Sequence, residues 1–230
     1  MRNDKRIEKS NIKLIFNPAL AIIAFMYFPT IIYLLLLVFN MSNMLTNFIS
    51  NLIYLLLIII ILRKSLKKDF IDYKNNFTSY FKIGARAWLI GVLIMIFSNL
   101  ILNIFIFNGN ISGNEQAVRK VLFEYPLLVM ISSVFIAPIV EEITFRKILK
   151  DSINTKWLYI IFSGFVFGLL HSLTDISSIL NFFYIIPYGA LGSSFAYMNY
   201  KTNNIFTSIT FHFLHNFITV VLLMSAYSMV

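Results

Sequence analysis

The chain has 230 residues, of which 59% are hydrophobic and only 13% charged, and it carries a formal net charge of +9. A soluble domain of this size would be about half apolar and about a quarter charged, so an ordinary soluble fold is excluded. With no cysteine in the sequence, disulfides, thiolate metal sites and a cysteine nucleophile are excluded as well.

A spanning helix needs about 20 mostly apolar residues. Seven such runs can be read, over roughly 16–40, 46–62, 84–107, 126–149, 157–174, 177–199 and 204–228. The expected architecture is an all-α, polytopic transmembrane helical bundle of about seven spans, with six to eight as the range. The first run follows a basic stretch (Arg2, Lys5, Arg6, Lys9, Lys13) and has no small-residue cleavage pattern before it. It is therefore read as a retained span rather than a signal peptide, with Pro29 expected to kink it. The second run is short. In the connector 63–82, Phe70, Tyr73, Phe77 and Tyr80 recur at helical spacing among Lys67, Lys68, Lys74 and Lys82. That pattern suits either a helix lying in the membrane interface, as a platform for a membrane-bound substrate, or an ordinary basic juxtamembrane segment. The loop from Asn108 to Tyr125 is expected to hold a short helix with Glu115 and Arg119 paired. Its Asn110-Ile111-Ser112 triplet matches a glycosylation acceptor, which is read as chance. Pro187 and Gly189 interrupt the sixth run.

If the N-terminus is cytoplasmic, every basic residue except Arg119 and Lys120 falls on the inner side, as the positive-inside rule expects. Anionic inner-leaflet lipid then accounts for the positive charge, and no nucleic-acid partner is needed. The expected division is an N-terminal membrane region over 1–125 and a second membrane region over 126–230. A multi-pass protein of the cell membrane is expected, and the Ile, Phe, Asn and Lys bias points to a bacterial one.

The first three spans are almost free of interior charge, whereas the later ones are not. Span 4 carries Glu141, Glu142 and Arg146, span 5 ends near His171, and span 7 carries His212, His215 and Asn216. Charged groups at bilayer depth cost at least about 2.5 kcal/mol each and mark functional sites by default. At 1.5 Å per residue, Glu141 and His171 lie roughly 20 and 25 Å from the inner turn near Asn154, and His212 and Asn216 about 15 and 21 Å from the connector near Thr202. Three helices thus bring polar groups to one layer. Glu142 and Arg146 stand at i and i+4 in the favourable order for an ion pair. Glu141 points about 100° away from Glu142 and has no partner in its own helix, so it is either a general base or a second structural carboxylate. His212 and Asn216 share a face, as donors to a developing oxyanion or as polar glue between helices. His215 lies off that face and is read as structural. Gly164 and Gly168, beside His171, allow close helix approach.

Glu141 to Arg146 reads EExxxR, Phe167 to His171 reads FxxxH, and His212 to Asn216 reads HxxxN. In this order, on three separate spans, the motifs resemble the CPBP family of intramembrane proteases, the CAAX proteases and bacteriocin-processing enzymes that include the type II CAAX prenyl endopeptidases. The resemblance covers about the C-terminal 100 residues. It implies peptide-bond hydrolysis inside a helical bundle, with Glu141 activating water and His171 orienting it and shuttling its proton. His212 and Asn216 would stabilise the oxyanion, and Glu142 and Arg146 would brace the site. The family has also been described as metalloproteases, and Glu141, His171 and His212 would suffice as a zinc set. A metal-independent glutamate mechanism is favoured, because zincins place two His on one helix with a separate Glu base.

The leading expectation is an intramembrane endopeptidase acting near the inner leaflet on a lipid-anchored or amphipathic peptide, such as a signalling-peptide or bacteriocin precursor. Its expected partners are membrane lipid and that hydrophobic or lipidated peptide; the sequence does not give the oligomeric state. The competing classes are a non-catalytic membrane scaffold or bacteriocin-immunity protein, and a proton relay or transporter.

Overall fold

A computed structural model describes residues 18–173 and 178–227. The basic N-terminal stretch from Arg2 to Lys13 lies outside the described residues, as do the first residues of the first run, the start of the sixth and the end of the seventh. Described residues form helices joined by short turns: α1 (Pro18–Leu36), α2 (Asn43–Asn75), α3 (Phe77–Leu102), α4 (Gly113–Leu122), α5 (126–152), α6 (Lys156–Ser172), α7 (Ile185–Thr202) and α8 (Ile205–Tyr227). Six of these, with their extensions, are long and apolar enough to cross a membrane. α6 is apolar but shorter, and α4 is the short helix of the 108–125 loop. The chain is therefore a polytopic helical bundle whose seven apolar helices match the seven runs. Large side chains such as Leu35, Leu93, Phe97 and Phe105 stand exposed on its flanks, as lipid-facing residues should.

Two expectations are corrected. The connector 63–82 is not a separate interfacial helix: α2 runs on to Asn75, α3 starts at Phe77, and only Asn76 separates them. Its aromatic face instead packs against the start of α8. Tyr73 Oη lies 2.9 Å from Thr210 Oγ1, and the Phe70 and Phe206 rings meet edge to face with their centres 5.3 Å apart. Nor is the sixth run broken at Pro187, which sits in the first turn of α7, where a missing N–H costs nothing. In the 108–125 loop the expected pair is present, with Arg119 Nη2 2.6 Å from Glu115 Oε1. Ser112 caps that helix by accepting from the Glu115 N–H at 3.2 Å.

The tightest helix contact joins α6 to α7. A Cβ placed on Gly168 would lie 2.6 Å from the Ile185 carbonyl and 2.8 Å from the Gly189 nitrogen. Because those atoms are backbone, nothing there can rotate away. The glycines flanking His171 thus let α6 lie directly on α7, as small residues do between membrane helices.

Two π-helical turns, Ser132–Ile136 and Ile143–Ile148, flank a short α segment, Ala137–Glu142, within α5. Pro138 supplies a reason for the first. It has no N–H, and its ring would clash with the carbonyl four residues back in a regular helix, which an inserted residue relieves. The Ala137 N–H accordingly donates to the Ser132 carbonyl in the π pattern.

Candidate active site

The described structure brings Glu141, His171 and His212 to one point. Glu141 Oε2 lies 3.7 Å from His212 Nε2 and 4.0 Å from His171 Nε2. That oxygen is buried and accepts no hydrogen bond from the described residues. Asn216 lies one turn beyond His212 on α8 and lines the same cavity, of about 520 Å³, together with His215 and Tyr188.

Each histidine is oriented through its other nitrogen. His171 Nδ1 lies 2.8 Å from the Phe167 carbonyl, one turn back on α6. A carbonyl only accepts, so Nδ1–H donates and the neutral ring turns an Nε2 lone pair toward Glu141. His212 Nδ1 lies 2.9 Å from Glu142 Oε1, and Glu142 Oε2 in turn lies 3.3 Å from Arg146 Nε, with both side chains fully buried. An ionised Glu142 also only accepts, which fixes His212 in the same tautomer. The His212 ring is stacked on Phe195 at 4.7 Å and faces Phe167 edge-on at 5.7 Å. A carboxylate oxygen and two imidazole nitrogens thus face a common space. A water molecule there can donate to two of them and leave its own lone pair for attack.

Arg146 closes the layer beneath. Its Nη2 donates to the Gly192 carbonyl at 3.0 Å, and its guanidinium sits 4.7 Å from the Phe167 ring centre. The expected i, i+4 pair is present. Glu142 does more than neutralise Arg146, because it also holds His212. Asn216 is held differently. The Ala137 N–H is bonded to Ser132 and Pro138 has none, so the Ser133 carbonyl has no helical donor at i+4 or i+5, and it accepts from Asn216 Nδ2 at 2.7 Å. The second amide hydrogen of Asn216 remains for the cavity.

A tetrahedral zinc ion with bonds of about 2.0–2.1 Å sets its ligand atoms roughly 3.3 Å apart. The two Glu141–His separations are wider, and no group of three or more His, Asp or Glu among the described residues is spaced to hold a metal ion. As they stand, the three side chains do not fit a shared zinc.

Residues 123–218, which contain all three motifs, match the family described as type II CAAX prenyl endopeptidase Rce1-like. The chain is 31% identical over 117 residues to the "Putative membrane peptidase YdiL" of Bacillus subtilis (strain 168), a match covering 50% of this chain and 44% of that protein. It is 37% identical over 112 residues to an uncharacterized protein of Mycoplasma capricolum subsp. capricolum (strain California kid), covering 48% of this chain and 31% of that protein. The chain thus spans less than half the length of these curated relatives. No solved structure matches it significantly. The resemblance to the CAAX proteases is borne out, and at the family level it is to membrane peptidases.

Proposed function

From a chain whose C-terminal half is similar to the intramembrane CAAX proteases, we propose an endopeptidase that hydrolyses a peptide bond in a lipid-anchored or amphipathic membrane peptide. The observation that carries this reading is the buried Glu141 oxygen facing the Nε2 atoms of His171 and His212. Water held there gives one proton to Glu141 as its oxygen bonds to the scissile carbonyl carbon. His171 accepts the second hydrogen bond, which orients the attack. As the C–N bond breaks, the proton taken from water passes through Glu141 or His171 to the departing amine.

The fixed tautomer adds a condition. With Nδ1–H committed to Glu142, His212 can donate to an oxyanion only when its Nε2 also carries a proton. Asn216 donates its second amide hydrogen from one turn away. No step requires a metal. The mechanistic test is chelator treatment of active purified protein together with its metal content. Full activity with no stoichiometric metal supports the glutamate mechanism, and loss restored by zinc supports the alternative set Glu141, His171 and His212. The functional test is substitution: Glu141→Ala, His171→Ala and His212→Ala each abolish product formation while folded protein is retained. If those variants keep the cellular phenotype, a scaffold or immunity role replaces the enzyme; pH-dependent charge movement without cleavage would point to a relay.

A further inference from the structure

The cavity around Glu141 is not placed symmetrically along the bundle. Its lining includes Asn99 and Asn103 near the end of α3, Asn110 and Glu115 in the following loop, and Thr219 and Leu223 on the second half of α8. These residues cluster at the end of the helices that bears the 108–125 loop. None of its lining residues comes from the opposite end, where Lys67, Lys74, Lys82, Lys150, Lys156 and Lys201 lie.

Towards that opposite end the described residues beneath the site are closely packed. Directly beneath the site, Arg146, Phe145, Phe195 and Phe211 are at most 1% exposed. Further down, ties cross between the helices. Lys147 pairs with Asp69 at 2.5 Å, Lys150 donates to the Asn199 carbonyl at 3.0 Å, and Asn204 Nδ2 donates to the Asp69 carbonyl at 2.7 Å and to Asp72 Oδ2 at 2.8 Å. The loop end is built differently. Ser112 Oγ lies 2.7 Å from Tyr188 Oη, Asn114 Nδ2 donates to the same oxygen at 3.3 Å, and Tyr184 donates to the Asn110 carbonyl at 2.8 Å. The Tyr188 ring then lies 5.0 Å from His171. A polar rim, with Glu115 paired to Arg119 at its edge, therefore leads to His171, while a packed floor with its own ion pair lies on the basic side.

Basic residues flank the cytoplasmic ends of membrane helices. Taking the basic end as the inner one, we propose that the cavity is entered from the outer face of the membrane, so the peptide cleaved is one presented at the outer leaflet after export. This rests on the protease reading for the cleavage itself, but the side of entry is read from charge and cavity alone. It replaces the expectation of a site near the inner leaflet.

The chain contains no cysteine, so single cysteines report the side directly. Asn110→Cys lies on the exposed rim and Lys68→Cys on the basic end, also exposed. With a membrane-impermeant sulfonated maleimide on intact cells, Asn110→Cys is labelled and Lys68→Cys only after permeabilisation. The reverse order overturns the proposal. A second readout follows the products: peptides that vanish in Glu141→Ala cells are recovered from the medium and outer surface of wild-type cells, and their confinement to the cytosol would also overturn it. If no peptide depends on Glu141, the protease reading fails, while the labelling order still decides which face the cavity meets.

Discussion

Glu142 is the residue on which most of the site turns, since one carboxylate holds both Arg146 and His212. Removing one partner of a buried ion pair costs about 3–5 kcal/mol, whereas replacing both by apolar groups of similar size is often neutral. Glu142→Leu is therefore expected to lower thermal stability sharply in detergent. The double variant Glu142→Leu/Arg146→Met should recover most of that stability yet stay inactive, because His212 loses the carboxylate that sets its tautomer. Recovery of activity in the double variant would show that Glu142 only neutralises charge. The Glu142–Arg146 pair was legible in the sequence because it lies within one helical turn. The Glu142–His212 bond was not, since 70 positions separate the two and no periodicity links them. The 100° between Glu141 and Glu142 separates their directions, but it does not reveal the histidine between them, which Glu141 faces through Nε2 and Glu142 holds through Nδ1.

At the scale of the element, α5 departs from a regular helix where its chemistry lies. Pro138 was visible in the sequence, but its consequence, a π turn that frees the Ser133 carbonyl for Asn216, depends on how the helix relieves the proline clash. Pro138→Ala restores an N–H at that position. It is expected to keep or raise the melting temperature while lowering turnover by about tenfold or more, because the amide that Asn216 would present shifts with its acceptor. Unchanged turnover would show that the Ser133 carbonyl does not position Asn216. On α6, Gly168→Ala places a methyl against the Ile185 carbonyl and the Gly189 nitrogen. Overpacking of this kind costs about 1–3 kcal/mol, and it should displace His171, so stability and activity fall together. The connector stayed open between two readings because its aromatic spacing is equally that of an interfacial helix and of a helix end docked on a neighbour. Only the contact of Tyr73 and Phe70 with α8 separates the two.

For the whole molecule, the positions and order of the apolar helices were readable, because hydropathy is summed along the chain and needs no knowledge of packing, although only six of the seven are long enough to count as spans. Convergence of three helices on one layer was readable from helix rise alone. The direction of the cavity was not, because it depends on which ends of α3, α7 and α8 stay apart, and that is a property of side-chain packing. The proposed role of the Glu141 carboxylate is to activate the water that hydrolyses a peptide bond. It is tested most directly by mass spectrometry of small membrane-associated peptides from cells producing wild-type protein or Glu141→Ala at equal folded levels. A defined set of precursors cut by the wild type and left intact by the variant is the predicted result. Identical peptide sets from the two would contradict it.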